Sequence, residues 1–126
     1  ICVGMQLMGK HSSEGDRSGL GWFPGTAEKL PKEIGGHRLH VPHVGWNVVK
    51  STRGPLFQGI EEGSRFYFSH SYVMHSNEPT VISALTEYGK TFISAIQHGN
   101  IVGTQFHPEK SHQTGVRLLQ NFDEYF

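Results

Sequence analysis

The sequence predicts an α/β domain with a β-rich middle, because a helical pattern occupies each end and strand patterns lie between them. A short helix is expected over residues 5–10 and a second one from about residue 114. In the second helix, apolar residues recur at helical spacing: Val116, Leu118, Leu119 and Phe122. A parallel sheet needs crossover helices and only these two are clear. The 126 residues therefore correspond to half of an α/β domain plus an antiparallel insertion.

Strand patterns occupy the middle of the chain. The strongest covers residues 65–73, where phenylalanines alternate with polar residues. Residues 91–97 and 100–106 flank a His-Gly pair, which is typical of a hairpin turn. Shorter strand patterns are found in three segments: 38–41, 48–49 and 80–86. Residues 12–25 form a predicted loop with three apolar side chains that are expected to pack inward: Leu20, Trp22 and Phe23.

Composition narrows the function classes. Eleven basic and eleven acidic residues give a formal net charge of zero, so no net field favours nucleic acid or an anionic membrane. No apolar run approaches the roughly 20 residues that span a bilayer. Cys2 is the only cysteine, so an internal disulfide is impossible and a reducing cytoplasm is the simplest location.

The stretch from Gly103 to Ser111 ends a β-like run and places His107 and Glu109 two residues apart. Residues i and i+2 of an extended segment point to the same face, so both side chains can face one site. Pro108 between them disfavours a helix. A histidine held by a carboxylate is a general base for a nucleophile. The alternative for His107 is a histidine that satisfies hydrogen bonds at a strand end.

Cys2 is the candidate nucleophile, at a predicted turn from a strand into a helix. The start of a helix favours a thiolate, and its first N–H groups can bind an oxyanion. Gly4 permits a tight turn and a close approach of the chain, while Gln6 lies one helical turn onward and can line the same pocket. The alternatives are a buried apolar cysteine and a solvated glutamine.

These two ends of the chain resemble the two signatures of the class I (triad) glutamine amidotransferases: Ile1 to Leu7 and Gly103 to Ser111. Interior stretches resemble one branch, the glutaminase subunit of imidazole glycerol phosphate synthase: Ser13 to Gly15, Pro42 to Asn47, Tyr67 to Tyr72 and Leu118 to Phe122. The resemblance implies a flavodoxin-like fold with three α/β/α layers. It also implies that residues 1–126 are a partial amidotransferase domain whose N-terminal βα units are absent from this chain, so that the fragment alone is expected to be inactive.

The resemblance also implies a thiol mechanism. Cys2 would attack the side-chain carboxamide of L-glutamine, His107 would move the proton from the thiol to the departing ammonia, and Glu109 would orient the imidazole. The ammonia would pass to a (β/α)8-barrel cyclase, which makes imidazole glycerol phosphate and aminoimidazole carboxamide ribotide in histidine biosynthesis. No cofactor or metal is implied. Three histidines spaced by three do not form a metal site, since Pro42 interrupts a helix and no carboxylate completes the set: His37, His40 and His43.

Two further groups of residues follow from the resemblance. The first would bind the substrate, with Ser71 and Tyr72 acting through their backbone: Gly4, Gln6, His70, Ser71 and Tyr72. The second would face the cyclase: Trp46, Asn47, Tyr67 and Lys110. Two other functions remain open, a catalytically silent binding module on the same fold and a different triad amidotransferase or γ-glutamyl hydrolase.

Overall fold

The computed structural model of the chain describes residues 1–51 and 54–126. The helices are α1 (Val3–Leu7) and α2 (His112–Tyr125). Single 3-10 turns cover Pro55–Phe57, Pro79–Val81 and Pro108–Lys110. The strands in these residues are, in chain order, β1 (His11–Ser12), β2 (Arg17–Ser18), β3 (Thr26–Lys29), β4 (Glu33–Ile34), β5 (His37–Arg38), β6 (His43–Val48), β7 (Lys50–Ser51), β8 (Arg65–His70), β9 (Tyr72–His75), β10 (Ile82–Tyr88), β11 (Lys90–His98) and β12 (Ile101–Thr104). Neither helix is long and apolar enough to cross a membrane.

The main sheet has the strand order β2-β1-β3-β9-β11-β10-β7, and β12 pairs with β11 beside this path. Only β1 and β3 pair in parallel within the described residues; the other neighbours are antiparallel. The pairs β4–β5 and β6–β8 form two separate ribbons. The hairpin predicted around the His-Gly pair is confirmed, since β11 and β12 pair with His98 opposite Ile101. The β-rich middle is thus largely antiparallel.

The strand predicted over residues 65–73 is two strands. β8 pairs with β6, whereas β9 joins the main sheet, so the chain changes sheets at Ser71. The alternation of buried residues ends with β8, but Tyr72 and Val73 also favour strands, so strand propensity shows no break at Ser71. The change of sheet matters for function, because it turns the backbone of residues 69–72 toward the start of α1.

The core has two parts. The larger is built on phenylalanines from β8, β11 and the segment after β12, with the rings of Phe66 and Phe106 4.2 Å apart. The smaller lies under α1 and contains Met5 and Phe23. Phe23 packs inward as predicted, but Leu20 and Trp22 do not: they are 57% and 52% exposed.

Helix α2 presents a different face to the core from the predicted one. Leu118 is buried as expected, but Val116, Leu119 and Phe122 remain about half-exposed. The other inward positions are Gly115 and Asn121. Neither has an apolar side chain, so the spacing of apolar residues does not identify the buried face. A shallow apolar groove of about 140 Å³ separates α2 from β12, lined in part by Val102, Leu119 and Phe122.

Two contacts fix α2 on the body of the domain. Asn121 donates hydrogen bonds to the carbonyls of Leu56 and Gln58, at 2.9 and 2.8 Å. Gly115 lies so close to the loop before the helix that an added Cβ would come within 1.9 Å of the Pro108 carbonyl oxygen. The helix therefore holds the Pro108–Lys110 turn in place, and this turn carries Glu109.

Candidate active site

Cys2 sits on a strained turn at the start of α1. Its backbone has φ 52° and ψ −114°, an unfavourable conformation for a residue with a side chain. The turn is held from both sides: the Cys2 N–H donates to the Thr104 carbonyl at 2.7 Å, and the Cys2 carbonyl accepts from the N–H of Met5 at 3.0 Å. A strained, over-determined turn of this kind is typical of an exposed nucleophile between a strand and a helix.

Gly4 does not have the role expected from the sequence. An added Cβ there would meet no atom within 4 Å in the described residues, so the chain makes no close approach at this position. The strain of the tight turn falls on Cys2 itself, and Gly4 is an ordinary residue of α1. A substrate role for Gly4 would have to rest on its backbone alone.

His107 is held by its main chain. Its N–H donates to the Tyr67 carbonyl of β8 at 2.9 Å, and its carbonyl accepts from the Ser111 hydroxyl at 2.6 Å. The same hydroxyl accepts from the N–H of Tyr67 at 3.0 Å. Because Ser111 is buried, this bridge fixes the loop against β8. The position of the imidazole is therefore determined by backbone contacts on both sides.

The imidazole of His107 and the carboxylate of Glu109 meet as the spacing predicts. His107 Nδ1 lies 2.7 Å from Glu109 Oε1. Because a carboxylate only accepts, Nδ1 carries the proton and the lone pair of the neutral ring is on Nε2. Partial burial raises the pKa of Glu109. The hydrogen bond from His107 and the nearby Lys110 charge together lower it by more, so the net pKa is below the ordinary value. Glu109 is thus ionised at neutral pH.

Strand β8 brings Cys2 and His107 to one edge. The thiol of Cys2 lies 3.7 Å from the Ser69 carbonyl, while the N–H of His107 binds the carbonyl of Tyr67. Carbonyls two residues apart on a strand are about 7 Å apart and point the same way. Among the described residues no hydrogen bond joins Cys2 directly to His107. Catalytic hydrogen bonds often shorten only when substrate is bound.

The Cys2 thiol is neutral in this resting arrangement. Burial raises the pKa of Cys2, the N–H of Val3 and the amide of Gln105 oppose the rise, and the Glu109 charge adds to it. A thiol with a raised pKa must lose its proton to a base during attack. The imidazole of His107, whose Nε2 is left to accept a proton, is suited to that task.

The thiol opens onto a cavity of about 590 Å³, within the usual range for small-ligand pockets. It brings together the nucleophile and most of the residues predicted to bind substrate: Cys2, Gln6, His70, Ser71 and Tyr72. Two lining residues were missed by the sequence reasoning, Glu14 and Lys29. Glu14 follows β1 and Lys29 ends β3, and no local spacing relates them. Only the pairing of β3 with β9 places Lys29 near the cavity.

His70 lines the cavity, but both of its ring nitrogens are engaged by other groups of the protein. Its Nε2 lies 2.9 Å from His43 Nδ1, and its Nδ1 lies 2.9 Å from the Tyr72 carbonyl. The carbonyl only accepts, so His70 Nδ1 carries its proton and His43 Nδ1 carries the next one. Asn47 Nδ2 then donates to His43 Nε2 at 3.3 Å. The imidazole thus supports the Tyr72 backbone, and a direct contact between His70 and a substrate stays a prediction.

The buried His43–His70 pair makes stability depend on pH. Both residues are at least 95% buried, and burial lowers the pKa of each from 6.5 to about 4, with the neighbouring histidine adding to the shift for His43. Between pH 6.5 and pH 4 the unfolded chain binds protons that the folded chain does not. The contribution of the two neutral rings to the free energy of unfolding is therefore complete above pH 6.5 and is lost as the pH falls toward 4. We expect each ring to lower the free energy of unfolding by about 3 kcal/mol as the pH falls over that range. Urea unfolding at successive pH values measures it.

A matched comparison isolates this effect. His98 lies exposed at the β11–β12 turn, so His98→Gln should leave the dependence of the unfolding free energy on pH unchanged. His70→Gln should make that dependence shallower below pH 6.5. A stability that stays constant from pH 6.5 to pH 4 in the unmodified protein would contradict the assignment of two neutral buried rings.

The residues predicted to face a partner fall into two groups. Trp46, Tyr67 and Lys110 form one surface cluster, with the Trp46 and Tyr67 rings 6.0 Å apart and Lys110 Nζ 5.9 Å from the Tyr67 ring centre. Asn47 is engaged internally: besides His43 it binds the Glu87 carbonyl at 2.9 Å. Its amide therefore fixes β6 and the histidine pair.

Gln105 is a further residue that the sequence reasoning missed. Its side chain is fully buried, and its amide nitrogen lies 3.6 Å from Cys2 Sγ. The sequence does contain a signal for Gln105. Gln105, His107 and Glu109 follow each other at a spacing of two, and this spacing places them on one face of an extended segment. A glutamine side chain does not titrate, so the spacing alone did not single it out as catalytic.

The chain matches a known protein family over nearly its whole length. Residues 1–124 match the family model described as glutamine amidotransferase class-I. The chain belongs to this family. The match confirms the resemblance carried by the two ends of the sequence, since it extends over nearly the whole chain, interior stretches included.

Curated relatives point to one branch of the amidotransferase family. The chain is 48% identical over 125 residues to imidazole glycerol phosphate synthase subunit HisH of Chromobacterium violaceum, and 47% identical over 123 residues to that of Leptospira interrogans. Each alignment covers 97% of this chain but only 59% and 60% of the relatives. The chain therefore spans about 60% of the length of the relatives it matches, and the narrower resemblance predicted from its interior is confirmed.

Two solved structures share the fold at lower identity. A putative GMP synthase subunit of Thermoplasma acidophilum superposes with a TM-score of 0.62 at 20% identity, covering 80% of this chain and 48% of that one. A glutamine amidotransferase of Thermotoga maritima gives 0.54 at 17%, covering 79% and 40%. These likenesses confirm the predicted fold class.

Proposed function

We propose that this chain carries the catalytic centre of a glutaminase that hydrolyses L-glutamine to glutamate and ammonia. The observation that carries the proposal is the hydrogen-bonded His107–Glu109 pair, anchored on the same strand as the Cys2 thiol. A thiol, a base and a group that orients the base are the three elements of a nucleophilic triad. Retention of all three argues against a catalytically silent module on the same fold.

The chemistry follows from the protonation states. Nε2 of His107 accepts the proton of the Cys2 thiol as sulfur bonds to the carboxamide carbon of glutamine. The carbon–nitrogen bond breaks, and the imidazolium returns the proton to the leaving nitrogen, so ammonia departs and a γ-glutamyl thioester remains. Water attacks the thioester with His107 as base, the carbon–sulfur bond breaks, and the proton returns to sulfur. Glu109 stabilises the imidazolium in both steps.

The cavity fits the zwitterionic end of glutamine. Glu14 and Lys29 line it with opposite charges, which suit an ammonium and a carboxylate respectively. Ser71 and Tyr72 line it together with Cys2, and we propose that their backbone contacts the substrate. Gln6 lies between the nucleophile and Tyr72, with its amide nitrogen 2.9 Å from the Tyr72 carbonyl. A glutamine molecule whose side-chain amide lies at Cys2 would thus extend from α1 toward the β8–β9 junction.

We further propose that the ammonia passes to a cyclase partner with a (β/α)8 barrel, as in histidine biosynthesis, in the cytoplasm. The relatives named as subunits of imidazole glycerol phosphate synthase support this. The exposed cluster of Trp46, Tyr67 and Lys110 supplies aromatic and cationic groups that are common at protein interfaces.

Residues 1–126 would form only part of the amidotransferase domain. The chain spans about 60% of its relatives, and the apolar groove beside α2 leaves Leu119 and Phe122 half-exposed. We therefore propose that these 126 residues alone are inactive or nearly so, and that activity assays require the complete protein.

The glutaminase proposal predicts a covalent intermediate. The complete protein, mixed with glutamine and quenched in acid within one turnover, should yield a peptide carrying a γ-glutamyl group on Cys2, detected by mass spectrometry. The same peptide from protein mixed with glutamate at equal concentration is the control and should be unmodified. Glutamine turnover without any label on Cys2 would refute the thioester route.

A further inference from the structure

We propose that Gln105 is a further catalytic residue, whose side-chain N–H donates to the Cys2 sulfur and stabilises the thiolate whenever it forms. This inference deepens the glutaminase proposal and rests on it. Three features of the structure support it: the burial of Gln105, the fixed orientation of its amide and its contact with the nucleophile.

Burial leaves the Gln105 amide few partners. The side chain is 0% exposed, and an unpaired amide at such a position would be costly. Its hydrogen-bond partners in the described residues are Gln6 Nε2, 3.0 Å from Gln105 Oε1, and Cys2 Sγ, 3.6 Å from Gln105 Nε2. The backbone is anchored separately, since the Gln105 N–H donates to the Ser94 carbonyl at 2.9 Å. The amide is therefore dedicated to Gln6 and the nucleophile.

One backbone carbonyl determines which end of the amide faces sulfur. The Tyr72 carbonyl can only accept, so the Gln6 atom 2.9 Å from it is the amide nitrogen. The second N–H of that nitrogen points at Gln105, so the Gln105 atom that faces Gln6 is the oxygen. The nitrogen of Gln105 must then face Cys2. The hydrogen-bond chain thus removes the usual ambiguity between amide oxygen and nitrogen.

A donor at this position favours the ionised state of sulfur. A hydrogen bond to a thiolate is about twice as strong as one to a neutral group, and it is stronger still where water is excluded. Charge appears on sulfur twice in the proposed reaction, when the thiol is deprotonated and when the thioester breaks down. Gln105 therefore acts more on these charged states than on the resting thiol, which is the requirement for catalysis. It also opposes the rise in the pKa of Cys2 that burial causes.

The first experiment replaces the donor without changing the volume. In the complete protein, Gln105→Met should shift the pH midpoint of Cys2 alkylation by iodoacetamide upward by about one unit, since a hydrogen bond to a charged group is worth roughly tenfold or more. Peptide mapping follows Cys2 alone. The kcat for glutamine should fall by about 10-fold to 100-fold while KM changes little. Gln113→Met, on the exposed face of α2, is the matched control and should change neither quantity.

A second measurement needs no variant at position 105 and remains informative if Gln105→Met fails to fold. The side-chain amide protons of Gln105, observed by NMR in the unmodified protein, should shift with the same midpoint as Cys2 alkylation. Cys2→Ala should abolish this titration.

An unchanged alkylation midpoint in folded Gln105→Met, or amide protons that do not follow the thiol, would overturn the role of Gln105. Neither result would affect the glutaminase proposal, which fails if glutamine turnover survives Cys2→Ala. The two proposals can therefore fail independently.

Discussion

Cys2→Ala is expected to lower glutamine-dependent synthesis by at least about 10⁴-fold, the scale of loss when a nucleophile is removed. Alanine keeps the small side chain of the turn but has no atom that can bond to the carboxamide carbon. Synthesis driven by added ammonium salts, with the cyclase present, should continue at the unmodified rate, because ammonia then bypasses Cys2. Product formation from each nitrogen source, measured on the same preparation, gives both numbers.

The ammonia-driven rate is the internal control for folding and assembly. Gln120→Ala, an exposed change on α2, should leave both rates intact. Loss of both activities in Cys2→Ala would show that the residue serves assembly, contrary to the proposal. Retention of the glutamine-driven rate would exclude the thiol mechanism altogether.

His107→Ala should lower the glutamine-dependent rate by about 10³-fold to 10⁴-fold, because the neutral thiol loses its base and the departing nitrogen loses its acid. The raised pKa of Cys2 makes the effect large at neutral pH, where little thiolate forms unaided. Added imidazole should restore part of the rate, since it can enter the open cavity and accept the proton. The rate as a function of imidazole concentration is the measurement.

Glu109→Gln provides a graded comparison for this prediction. Glutamine can still accept from His107 Nδ1 but carries no charge to stabilise the imidazolium, so the loss should be smaller than for His107→Ala. His98→Ala, at the exposed β11–β12 turn, is the control for removing a histidine. A full rate in His107→Ala without imidazole would show that another group takes the thiol proton.

The parts of the site that depend on local spacing could be predicted from the sequence. Extended backbone puts residues two apart on one face, so the contact between His107 and Glu109 follows from their positions alone. The β11–β12 hairpin is equally local, because its turn and both strands are contiguous in the chain. In each case a few neighbouring residues contain all the information.

Contacts between distant segments could not be predicted in this way. His43 meets His70 because β6 pairs with β8 in one particular register, and nothing near either histidine specifies that register. The change of sheet at Ser71 was missed for the same reason. A pattern of apolar residues shows which face of a strand is buried, but it does not show with which strand that strand pairs. Gln6 and Gln105 are brought together from opposite ends of the chain by the bond between Cys2 and Thr104.

If glutamine binds as proposed, the carbonyls at the β8–β9 junction limit the orientation in which it can bind. The Tyr72 carbonyl already accepts from His70 and Gln6, and the Ser71 carbonyl accepts from the N–H of Leu30 at 2.8 Å. Under the proposed function, the Tyr72 carbonyl has no lone pair left for the ammonium of glutamine, because it already accepts two hydrogen bonds. The ammonium would then be met by the Glu14 side chain and the carboxylate by Lys29, while the amide lies at Cys2. Three unlike attachments around one tetrahedral carbon accept only one mirror image, so the proposed site would select L-glutamine over D-glutamine.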